Sequence, residues 1–102
     1  EGSERYEREF ERLQQLISVS NGDFLQQELQ KLDREYQSDG EYFLHKGYFL
    51  ADELGRHEEA LEAFQQAVDI TPADPFAVFN QAIALDKLGK KSEAQVTYKR
   101  TA

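Results

Sequence analysis

The sequence predicts an all-α protein built as a stack of helical hairpins, and three observations carry that prediction. Apolar residues recur at helical spacing along nearly the whole chain. Gly, Asn, Asp and Pro punctuate them at short intervals, and no alternating strand pattern competes. One segment also returns later in the chain: Gly55 is followed by Gly89, Ala60 by Ala94 and Phe64 by Tyr98, each 34 residues on. The punctuation places helices over 4–19, 24–37, 41–54, 58–70, 75–88 and 92–101.

In the first helix, Tyr6, Phe10, Leu13 and Ile17 form one apolar stripe opposite a charged face. Asn21-Gly22 closes it, and Asp23 with Gln26 offers a capping box for a second helix striped by Leu25, Leu29, Leu32 and Tyr36. Residues 1–40 therefore read as a helical hairpin, either a degenerate repeat or a cap. Ser38 and Glu41 offer another capping box. The helix after it is apolar on nearly every side, through Tyr42, Phe43, Leu44, Tyr48, Phe49, Leu50 and Leu54, so it must be covered from more than one direction. The first hairpin and the helix over 58–70 are the expected covers, which puts the whole chain in one domain. Gly55 suits a left-handed helix stop, Glu58-Glu59 suits a helix N-terminus, and Pro72 ends the segment by disfavouring helical geometry at Thr71. Ala60, Phe64, Ala67 and Val68, widened by Leu61 and Ala63, are its packing stripe. Asp74 is placed to cap the fifth helix with Pro75 at its first position, Gly89 to end it, and Ser92 to cap the last.

A 34-residue period of paired helices, with Ala60 and Phe64 as Ala-x3-Phe and a closing Pro72, resembles the tetratricopeptide repeat family. The resemblance covers 41–102, divided into a repeat over 41–74 and a truncated one over 75–102. First helices in this family carry large, large, small, large. Val78, Gln81, Ala82 and Leu85 fit apart from Gln81. The corresponding Leu44, Gly47, Tyr48 and Ala51 have small and large exchanged, and a slip of one residue to Phe43, Lys46, Gly47 and Leu50 restores the order. The sequence leaves these two registers open.

Composition narrows the function. The net charge of −8, shared between both parts of the chain, opposes phosphate backbones and anionic membranes, so neither nucleic acid nor membrane is an expected partner. With no cysteine there is no disulfide framework and no Cys-based metal site. No apolar run approaches membrane-spanning length, which predicts a soluble chain and favours the cytoplasm. The absence of methionine and the opening Glu1-Gly2-Ser3 predict an excerpt of a longer protein. His45 and His57 lack any metal or nucleophile spacing and read as surface or packing residues. Glu58, Glu59 and Glu62 read as a solvated face at a helix N-terminus, and Lys87, Lys90 and Lys91 as the complement of a helix C-terminus. No constellation supports an enzyme, a metal or a cofactor.

The family resemblance implies a right-handed α-solenoid segment whose function is to hold another protein, with first helices lining a concave groove. On that surface it places Phe76, Phe79, Asn80 and Ile83 of the fifth helix beside Tyr42, His45 and Phe49 of the third. Asp86, with Asp52 and Glu53, forms an acidic rim, so the expected partner is a segment with aromatic or aliphatic anchors and basic flanks. The carboxylate clamp of chaperone-binding members is not matched, since its places hold Glu11, Gln15 and Phe76, and only Asn80 fits. Two other functions fit the same fold: a secretion-type chaperone sheltering an apolar segment, and an architectural module that self-associates through an uncovered last helix bearing Val96 and Tyr98.

Overall fold

A computed structural model describes residues 3–17 and 22–100 of the chain. In order, it contains α1 (Ser3–Leu16), α2 (Gly22–Glu35), α3 (Gly40–Tyr48) running directly into a π-helical turn (Phe49–Glu53), α4 (His57–Ile70), α5 (Pro75–Lys87) and α6 (Lys91–Lys99). All six predicted helices are present, and no strand occurs among the described residues. The predicted ends at 18–19 and 101 lie outside the described residues. Among the described residues no helix is long and apolar enough to cross a membrane.

The chain forms two compact units, 1–39 and 40–102. In the first, Tyr6, Phe10 and Leu13 of α1 and Leu25, Leu29 and Leu32 of α2 are buried, as their stripes require. The Tyr6 ring meets Tyr36 edge-on at 5.1 Å. Arg12 joins the two helices by bonding Glu28 at 3.2 Å while also holding Glu9, and its hydrogen bond keeps the Glu28 carboxyl below the usual carboxylate range. α2 starts at Gly22, so Gly22 opens this helix rather than closing the one before, and Asp23 lies in its first turn.

In the second unit, α3 packs on α4, α4 on α5, and α5 on α6. Ala60, Leu61, Ala63, Phe64, Ala67 and Val68 of α4 are all buried. Asp74 caps α5 as its side chain accepts from the Phe76 N–H at 3.0 Å, with Pro75 at the first position. Asp74→Ala is expected to cost about 0.5–2 kcal/mol by chemical denaturation, with Asp74→Asn close to wild type. α5 ends in a left-handed glycine turn: Gly89 has φ of 81°, and the Gly89 and Lys90 N–H groups donate to the carbonyls of Asp86 at 3.0 Å and Leu85 at 2.9 Å. This tight turn restarts the helix at once, so Lys90 occupies the N-cap without a side-chain bond and Ser92, expected there, is the second residue of α6. On α6, Val96 is exposed and Tyr98 half-buried.

The register of α3 is settled by Gly47. A Cβ there would lie 2.6 Å from Cδ1 and Cζ of the buried Phe64 ring and closer still to Cε1, so no side chain fits. Gly47 is therefore the small residue of the helix contact, and Phe43 and Leu50 are the buried large ones. Lys46, at the remaining large place, is half-buried with its ammonium 5.9 Å from the Phe43 ring centroid. These residues match Val78, Gln81, Ala82 and Leu85 at an offset of 35, whereas Ala60 and Ala94 are 34 apart. The extra residue is taken up by the π-helical turn. Leu50-Ala51-Asp52-Glu53-Leu54-Gly55 does in six residues what Leu85-Asp86-Lys87-Leu88-Gly89 does in five. The closing bonds show the same difference, since the Leu50 carbonyl accepts from Arg56 at 2.8 Å and the Leu85 carbonyl from Lys90 at 2.9 Å, one residue nearer in sequence.

Candidate partner-binding cleft

The offset of 35 decides which side chains of the two first helices face each other. A cleft of about 470 Å³ lies between them, with Tyr48, Ala51 and Asp52 on the α3 side. The opposite wall is Asn80, Ile83, Ala84 and Lys87 of α5, and α4 contributes His57 and Phe64. At an offset of 35, Ile83 corresponds to Tyr48 and Lys87 to Asp52.

Of the residues assigned to a groove from sequence, Asn80 and Ile83 line this cleft. Tyr42 and Phe49 do not, being only 1% and 4% exposed, and so they present no surface to a partner. The resemblance sets them opposite Phe76 and Ile83, each 34 residues on, whereas the π-helical turn lengthens the first helix by one residue and makes the offset 35. His45 is half-buried with its ring edge-on to Tyr48 at 5.7 Å. Phe76 is 66% exposed and shares one face of α5 with Asn80, Ile83 and Lys87 by helical spacing. Phe79 is 45% exposed and leans on Tyr98 of α6, ring centroids 5.6 Å apart. Asp86 is outside the cleft, 3.6 Å from the Lys91 ammonium. The lining thus has Asp52 facing a wall that carries Lys87, in place of a uniformly acidic rim.

Tyr48, His57 and Lys87 were not among the groove residues assigned from sequence, whereas Asp52 was expected on the acidic rim and does line the cleft. The slipped register of α3 was the signal that could have found Tyr48 and set Asp52 against Lys87, since adding 35 to each reaches Ile83 and Lys87. Within the lining, Asn80 Nδ2 donates to the Tyr48 hydroxyl at 3.1 Å and to the Phe76 carbonyl at 2.8 Å. Partial burial pushes the Tyr48 phenol above its ordinary pKa, opposed by the Asn80 bond and reinforced by the charges of Asp74 and Asp52. Tyr48 is therefore a protonated donor at neutral pH. Among the described residues, no group of three or more His, Cys, Asp or Glu side chains could hold a metal ion.

Residues 40–74 match the model of the tetratricopeptide repeat family. Neither the curated proteins nor the solved structures contain a match to the chain. The matched segment runs from the first residue of α3, through the π-helical turn and α4, to the Asp74 cap of α5. Residues 40–74, a helical hairpin closed around Gly47 and Phe64, are accordingly a tetratricopeptide repeat.

Proposed function

We propose that the chain is a protein-interaction module that holds a segment of its partner along the cleft between α3 and α5. Tetratricopeptide repeats mediate protein–protein interaction and are non-catalytic, which supports the class of function. The observation that carries the site is the continuity of the cleft with exposed Phe76: one face of α5 offers an aromatic anchor, then Asn80, then Ile83, then Lys87. An anchor beside a recess suits a partner segment with an aromatic or aliphatic side chain for Phe76 and Ile83. Asp52 favours a basic flank on the α3 side, and Lys87 offsets that preference on the α5 side, so the affinity depends only weakly on salt.

Selection of binders from a displayed random-peptide library, followed by affinity measurement on variants, tests this. Phe76→Glu is expected to weaken the selected peptides by about 2 kcal/mol, roughly thirty-fold, with the melting temperature unchanged, because the side chain is exposed and the Asp74 cap uses only the Phe76 main chain. Ile83→Asp is expected to act in the same direction. Phe79→Glu separates binding from folding less well, since it also removes the ring contact with Tyr98. Peptides that bind both Phe76→Glu and Ile83→Asp as tightly as wild type would place the interaction elsewhere.

A further inference from the structure

Two side chains lining the cleft, Tyr48 and Asn80, carry a donor and an acceptor that no described residue partners. The Phe76 carbonyl fixes the Asn80 side chain, because only its NH₂ end can donate there, and the same nitrogen donates to Tyr48. The Tyr48 oxygen is thus an acceptor in that bond, and its own O–H remains to be given away. Asn80 Oδ1 accepts no hydrogen bond from the described residues. It is also not a buried orphan, since the one buried side-chain polar atom without a partner among the described residues is Gln81 Oε1. Asn80 Oδ1 is therefore open to a ligand.

From this juxtaposition we infer that the cleft takes a neutral side-chain carboxamide, that of Gln or Asn, carried by the partner segment. The inference rests on the cleft being the partner site. A primary carboxamide presents C=O and N–H along one edge, so its oxygen accepts from Tyr48 while its nitrogen donates to Asn80 Oδ1. A carboxylate accepts from Tyr48 but sets oxygen against Asn80 Oδ1 in a cleft that also holds Asp52. An ammonium or guanidinium satisfies Asn80 Oδ1 but offers Tyr48 no acceptor and meets Lys87. With one carboxylate and one ammonium on its walls, the recess gives a charged head no net attraction, and a neutral polar head suffers no charge-desolvation cost. The chain of Asn80, Tyr48 and ligand carbonyl strengthens each bond through mutual polarisation. Ala51 and Ala84 leave room, and Phe64 gives the planar group a ring to lie near.

The test titrates four compounds into isotope-labelled protein and follows cleft resonances by NMR: the N-acetyl methylamides of glutamine, glutamate, lysine and norleucine. All four share the same backbone amides and differ only at the head group. The glutamine compound is expected to bind about five-fold more tightly than the other three, the ratio that one net neutral hydrogen bond supplies. Tyr48→Phe, which keeps the ring against Phe64 and His45, is expected to abolish that preference with the melting temperature within a few degrees of wild type. Equal binding of all four compounds would show that backbone amides are held, overturning the carboxamide inference and leaving the partner cleft standing. A preference for a charged head, a preference that survives Tyr48→Phe, or no shift at the cleft also overturns it. The display selection with Phe76→Glu judges the cleft separately.

Discussion

Gly47→Leu is expected to destabilise the 40–102 unit by about 3 kcal/mol, the upper end of overpacking costs, because the new side chain must occupy the space of the Phe64 ring. Phe64 cannot swing aside cheaply, being buried on α4 with the Tyr48 ring 5.9 Å away across the same contact. Gly47→Ala tests the magnitude more finely. It gains about 1 kcal/mol of helix propensity and still loses overall, because even a Cβ is too close to three ring carbons. Phe64→Leu in the Gly47→Ala background is expected to recover part of the loss, giving an interaction energy of opposite sign to the single changes. Chemical denaturation of the four proteins provides the cycle. If Gly47→Leu melts like wild type, the α3–α4 contact does not close at Gly47 and the slipped register is wrong.

Deleting one residue from the end of each first helix is expected to give opposite outcomes. Removing Asp52 leaves Leu50-Ala51-Glu53-Leu54-Gly55, the same spacing as Leu85-Asp86-Lys87-Leu88-Gly89, and converts the π-helical turn to an ordinary α turn. Stability should change by no more than about 1 kcal/mol, since Gly47 and Leu50 before it and Ala60 after it keep their contacts. Removing Lys87, its counterpart, has no spare residue to draw on. It shortens the Leu85-to-Lys90 closure and turns α5 by about 100° relative to Gly89 and α6, and the loss of the Ala82, Leu85 and Ala94 packing should exceed about 3 kcal/mol. Melting curves of the two deletions, measured side by side, decide the matter. Equal damage from both would mean that the π-helical turn is not slack in the helix. Loss of the Asp52 deletion's peptide binding with intact folding would show that this turn also sets the cleft wall.

Much of the architecture is legible in the residues because the relevant forces are local. Pro72 and the Asp74–Pro75 pair act on their own backbone, and Gly55 and Gly89 both adopt the positive φ their places suggested, 65° and 81°. The stripes of α1, α2 and α4 follow from helical period alone, and the stripe residues described in them are buried apart from Ile17, half-buried in the turn after α1. The 34-residue recurrence likewise survives in α4 and α6, where no residue intervenes.

The cleft is less legible because its membership depends on which face of α3 turns inward. Tyr42, Phe43, Leu44, Tyr48, Phe49 and Leu50 crowd that helix with apolar side chains on every side, so its own pattern names no inward face. Ala51, Asp52 and Glu53 are ordinary helix residues and give no local sign that one of them is supernumerary. The choice comes from a contact 17 residues away in sequence, where the Phe64 ring admits glycine and nothing larger. That single close approach moves the first-helix correspondence from 34 to 35. It takes Tyr42 and Phe49 out of the groove, and it brings Tyr48 against Asn80 and Asp52 to the wall facing Lys87.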